Sequence, residues 1–128
     1  MFNRLIVNKA LKRSMVTDKN LRKAPGDPAD GRDIEVSMLI HDIFGAEILK
    51  THRKRGWHFY NRIDGKRVDL TGSETIRSSG IKKFEDIPSA SDETIKYFAQ
   101  EDYSAFYMRF VRLFEEAVGL KKCQSVAL

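Results

Sequence analysis

Apolar residues recur along this chain at two different periods. Between residues 3 and 15, Val7, Ala10, Leu11, Ser14 and Met15 fall at i, i+3, i+4, i+7 and i+8, while Arg4, Lys9, Lys12 and Arg13 turn elsewhere. This spacing predicts an amphipathic helix. From Val16 to Arg32 polar residues, Pro25, Gly26, Pro28 and Gly31 dominate, so a long irregular connection within the domain is expected. Asp33 to Phe44 is apolar on nearly every side, through Ile34, Val36, Met38, Leu39, Ile40, Ile43 and Phe44. That pattern predicts a buried central helix stopped by Gly45, with Asp30 or Asp33 available to cap its start.

Alternation then replaces helical spacing in Glu47–His52, Trp57–Arg62 and Arg67–Thr71. Asp64-Gly65 between the last two segments predicts a tight hairpin. If Ile63 pairs with Lys66, Trp57, Phe59, Val68 and Leu70 share one face of the hairpin, and His58, Tyr60, Arg62, Asp69 and Thr71 the other. The first face is expected to be core, the second to carry any chemistry. A further short strand is expected around Lys83 to Ile87. A helix capped by Ser91, with Asp92 and Glu93 in its first turn, follows to about Ala99. Tyr103, Phe106, Tyr107, Phe110, Val111, Phe114 and Val118 then mark the clearest helical stripe. Gly119 is expected to end it, leaving Lys121 to Leu128 as a frayed tail. The elements add up to an α+β fold. A small antiparallel sheet of three to four strands packs with a buried central helix and with N- and C-terminal helices, as one domain over residues 1–128.

Composition changes the picture only in places. With 41% apolar and 32% charged residues in a chain of 128, one globular core is the natural reading. No apolar run approaches the roughly 20 residues that span a bilayer, so no membrane partner is expected. A single cysteine, Cys123, excludes a disulfide within the chain and a thiolate metal cluster, and suits a reducing cytoplasm. The net charge of +5 is local: residues 1–23 hold Arg4, Lys9, Lys12, Arg13, Lys19, Arg22 and Lys23 against Asp18, and the remainder sums to −1. A solvated basic helix face explains this most simply. A nucleic-acid footprint and an organelle presequence are the alternatives.

Three segments, Ile43-Phe44-Gly45-Ala46-Glu47-Ile48-Leu49-Lys50, His58-Phe59-Tyr60-Asn61-Arg62-Ile63-Asp64-Gly65-Lys66 and Val68-Asp69-Leu70-Thr71, resemble the small bacterial proteins of the YunG-like family from about Ala10 to Thr71. Those proteins open the central helix with Gly-Gln-Cys-Ala and carry a His-aromatic-aromatic-Asn segment before Asp-Leu-Thr. Cysteine at a helix start, histidine on a following strand and a polar residue on the next resemble the core of papain-like hydrolases. There the helix dipole lowers the thiol pKa, the imidazole takes the proton and an acid orients it. Here the matching segment reads Gly31-Arg32-Asp33-Ile34, so Asp33 stands at the cysteine position.

The resemblance therefore implies a catalytically inactive relative that keeps a binding pocket around His58. Its site would comprise His58, Asp69 and Asp33, flanked by Trp57, Tyr60 and Asn61 as ligand contacts. A peptide or protein partner is expected and no cofactor. Two alternatives stay open: an acid/base or metal-dependent hydrolase using Asp33 and His58, and a nucleic-acid module using the basic N-terminal region with Arg53-Lys54-Arg55. The second lacks aromatic residues interleaved with its charge. His52 reads as part of a solvated turn, His41 as the polar edge of the central helix, and Cys123 as too far from any ordered site to replace the missing nucleophile.

Overall fold

The computed structural model describes residues 2–16, 32–53, 56–71 and 83–126, with main chain alone at Val16 and from residue 120 onward. Helix α1 (Arg4–Val16) is followed by α2 (Asp33–Phe44), then strands β1 (Glu47–Arg53), β2 (Gly56–Ile63) and β3 (Lys66–Val68). After β4 (Ile87–Ser89) a short helix α3 (Ser91–Thr94) runs into a 3-10 turn over Ile95–Tyr97, and α4 spans Gln100–Val126. The sheet has four strands in the order β3-β2-β1-β4, and every neighbouring pair is antiparallel. The expected α+β class holds. The expected connection over residues 16–32, including Asp30, lies almost entirely outside the described residues.

One layer of helices covers one face of the sheet. Val7, Ala10, Leu11 and Met15 of α1 are buried with Val36, Leu39 and Ile40 of α2, Ile48 and Phe59 of the sheet, and Phe106, Phe110 and Leu113 of α4. Aromatic rings fasten the helix ends: Phe44 meets Phe2 edge-on at 5.2 Å between centroids and Phe114 at 5.7 Å. Gly45 ends α2 as expected. Its φ of +71° places it in the left-handed region, and its N–H donates to His41 O at 3.0 Å, a closure that a residue with a Cβ makes only with strain.

Three expectations need correcting. Ile63 does pair with Lys66, but β3 stops at Val68, so Asp69 and Thr71 lie beyond the ladder. The face carrying His58 and Tyr60 is not open: Leu49, Thr51, His58 and Tyr60 are all buried. Residues 83–86 cross it before β4 begins, later than expected. Thr51 Oγ1 donates to Lys83 O at 3.1 Å, and the Phe84 ring meets that of Tyr60 edge-on at 4.9 Å. Finally, α4 continues through Gly119, because Gly119 does not take a positive φ. A glycine in the helical region costs a helix about 1 kcal/mol without ending it.

Among the described residues no helix is long and apolar enough to cross a membrane. The core depends on α4: Phe110 is fully buried and stacks on Phe114 at 5.6 Å. Phe110→Ala should cost about 3–5 kcal/mol of unfolding free energy in urea titrations, as a large void opens among three elements. An effect below about 1 kcal/mol would show that the core is centred elsewhere.

Candidate functional site

In the two-residue hairpin closed by Ile63 and Lys66, odd-numbered residues of β2 direct their backbone N–H and C=O groups toward β3. Since β3 ends opposite Asn61, the N–H of Phe59 has no strand partner. Asp33, the first residue of α2, takes that place: its Oδ2 accepts the Phe59 N–H at 2.8 Å. Asp33 thus does not cap its own helix, and Arg32 at the N-cap position makes no side-chain cap bond either. The start of α2 is aimed at the exposed edge of β2, where His58 comes around from the opposite face.

The His58 imidazole lies between two carboxylates. Its Nε2–H donates to Asp69 Oδ2 at 2.8 Å, and Nδ1 stands 3.3 Å from Asp33 Oδ2. That second contact is within ion-pair distance, but no acceptor is aligned for a hydrogen bond from Nδ1 among the described residues. Asp69 is oriented by its own turn, because Oδ1 accepts from Thr71 N–H at 3.2 Å and from Thr71 Oγ1 at 3.0 Å. The opposite oxygen of Asp33, Oδ1, faces Arg53 Nη1 at 4.0 Å. His58 is 0% exposed and Asp33 2%. Burial alone would push the imidazole pKa down; the close contacts and charge of Asp33 and Asp69 outweigh it and carry the pKa up to about 9.

His58, Asp33 and Asp69 are therefore brought together, with Asp69 at Nε2 and Asp33 on the Nδ1 side. The three flanking residues behave differently. Tyr60 is buried, donates its hydroxyl to Asp86 Oδ1 and accepts the Asp86 N–H, both at 2.8 Å. Burial and the Asp86 carboxylate push its phenol pKa upward. Asn61 is also buried, on the helix side, where its amide donates to Ser37 O at 3.0 Å and Glu47 O at 3.2 Å. Only Trp57 reaches the surface: half-buried, it lies 4.1 Å from the His52 ring with Lys50 Nζ 4.2 Å above it. Among the described residues no group of three or more His, Cys, Asp or Glu side chains is arranged to hold a metal ion.

Sequence reasoning missed Arg53 as part of this site, and it missed Glu85. Glu85 Oε1 accepts from His52 N–H at 2.8 Å and contacts His52 Nδ1 at 2.9 Å, so His52 is not a free turn residue. No local signal could have revealed the pair, which is made across the sheet edge by residues 33 positions apart. Asp86 is likewise a brace, holding Arg67 through two hydrogen bonds of 2.8 and 2.7 Å while its own φ is +54°.

The His58 array should leave a signature in stability against pH. Its pKa rises from 6.5 in the unfolded chain to about 9 in the fold. Its contribution is therefore complete below pH 6.5 and is lost as pH climbs through 9, amounting to about 3 kcal/mol. Urea titrations between pH 6 and 10 should show that decline in the parent chain and a flatter profile in His58→Gln. Parallel profiles for the two proteins would remove the imidazolium from the account.

Comparison with known proteins agrees with the resemblance already noted in the helix, hairpin and Asp-Leu-Thr segments. Residues 6–114 match the family model described as YunG protein. The "Uncharacterized protein YunG" of Bacillus subtilis (strain 168) is 33% identical over 85 residues, covering 66% of this chain and 71% of that protein. No solved structure matches the chain. The family match covers all of the sheet and most of the helical layer, and the chain belongs to the YunG family.

Proposed function

We propose that this chain is a non-hydrolytic member of its family, built on a core like that of a thiol hydrolase with a carboxylate in place of the sulfur, and that it binds a peptide or amide-bearing partner. The observation that carries this reading is the position of Asp33. The first residue of α2 places its Oδ2 3.3 Å from His58 Nδ1, where a cysteine side chain would face the imidazole. A helix start, an imidazole and an orienting acid are the parts that lower a thiol pKa and accept its proton.

Two features speak against acyl transfer in this chain. A carboxylate is a poor nucleophile toward an amide and cannot form the thioester on which such hydrolysis depends. His58, with its pKa near 9, is already protonated at neutral pH and cannot take up another proton. Buried as it is, His58 serves to hold the start of α2 against β2. The accessible group beside Asp33 is Arg53, whose side chain is 27% exposed; half-buried Trp57 lies on the other face of the β1–β2 pair. A guanidinium suits a partner that presents a carbonyl or carboxylate. On this reading Arg53 and, on the other face, Trp57 are the accessible contacts, and Tyr60 and Asn61 support the fold between them.

Restoring the sulfur tests the reading. Asp33→Cys in a Cys123→Ser background should show thiolate ultraviolet absorbance at a pH well below the ordinary thiol value of about 8.5. Replacing His58 by Gln in that variant should return the titration toward the ordinary value. The parent chain should leave ester and amide substrates intact. An introduced thiol that titrates at or above the ordinary value, or turnover by the parent chain, would overturn the reading.

A further inference from the structure

Helix α1 has two unlike sides. Val7, Ala10, Leu11 and Met15 are buried in the helical layer, which forces the charged residues outward together. Arg4, Lys9, Lys12 and Arg13 are all exposed, and no Asp or Glu occurs anywhere in the helix. At 3.6 residues per turn, Lys12 and Arg13 each lie about one turn from Lys9 and the three fall within about 100° of the circumference, with Arg4 outside that arc at the start of the helix. Leu5, 83% exposed, lies on the same face. Arg4, Lys9 and Lys12 pair with no carboxylate among the described residues. Outside residues 1–23 the chain sums to −1, so its positive field is concentrated at this end.

We propose that the exposed face of α1 docks on the phosphate backbone of a duplex nucleic acid without reading its sequence. The match is one of charge: exposed cations laid against a phosphate strand displace the counterions condensed on it, and their release drives binding. In this helix of 13 residues, about 20 Å long, Lys9, Lys12 and Arg13 share the face that meets the strand, and Arg4 lies about a turn and a half nearer the N-terminus. Lys and Arg contacts of this kind position a protein on the duplex but specify no bases. The face presents no aromatic side chain, which excludes the stacking platform used for single strands. Leu5 is its one large apolar side chain, too little to hold the helix in a bilayer interface. The site is independent of Asp33 and His58, which lie at the start of α2 and on β2.

Fluorescence anisotropy of a labelled DNA duplex of arbitrary sequence, titrated with the full chain, tests this. Between 50 and 200 mM salt the association constant should fall by about 60-fold, a log–log slope near −3. The triple variant Arg4→Glu, Lys9→Glu, Lys12→Glu should lose binding at 50 mM salt while keeping its circular dichroism spectrum. The control Lys66→Glu, Lys83→Glu, Lys96→Glu changes net charge equally at exposed positions elsewhere and should retain most of the affinity. Absence of binding by the parent chain at 50 mM salt would overturn the proposal. So would equal loss in the control, or a stronger affinity for phosphatidylserine vesicles than for the duplex.

Discussion

A fully buried imidazole between two carboxylates is the constraint that organises this fold. Asp33 begins α2, His58 lies within β2 and Asp69 follows β3, so one ring ties together elements drawn from across the first half of the domain. Withdrawing such charges from water costs several kcal/mol per ion, and their attraction offsets this only when the geometry is good and the remaining lone pairs are satisfied. The two carboxylates meet that condition, while His58 Nδ1 is held by the charge of Asp33 without an aligned hydrogen bond among the described residues. Asp33 also accepts the orphan Phe59 N–H, Asp69 accepts two bonds from Thr71, and Arg53 adds a second cation near Asp33. Removing one partner would leave an uncompensated charge inside, which gives the array its authority over where α2 meets the sheet.

The enclosure of that array comes from the second face of the sheet. Residues 83–86 cross it and are fastened at each step: Thr51 to Lys83 and Glu85, Tyr60 to Asp86, and Arg67 to Asp86 and over the Phe84 ring. This crossing segment keeps water from His58, and in a drier setting each electrostatic contact is stronger. The sheet is thus buried on both sides, although its strands alternate in the manner of a sheet that faces solvent on one side. The residues that make this difference combine polar groups bonded inside the fold, such as Thr51 and Asp86, with the rings of Tyr60 and Phe84.

Charged groups are handled differently in two parts of the fold. At the start of α2 a buried imidazole between two carboxylates fastens the helix to the sheet. On α1 the apolar stripe is spent in the helical layer, so the cations have only one direction to face. The first arrangement depends on long-range packing, and the second follows from helical periodicity once the apolar side is buried.

That contrast marks how much was legible without coordinates. Periodicity alone specified α1, α2 and the aromatic stripe of α4, because helix spacing and apolar burial are local properties. Asp64-Gly65 specified the β2–β3 register for the same reason, and with it the placement of His58 and Asp69 on one side. The same helical periodicity placed Asp33 at the start of α2. The sequence left undecided which ring nitrogen each acid would meet, that Asn61 and Tyr60 would be enclosed, and that Glu85 and Asp86 would brace the sheet. Those depend on where β3 stops and where residues 83–86 cross, which are set by contacts between segments remote in the chain. Only the folded structure decides them, since a hydrogen bond between distant residues leaves no periodic trace in either segment.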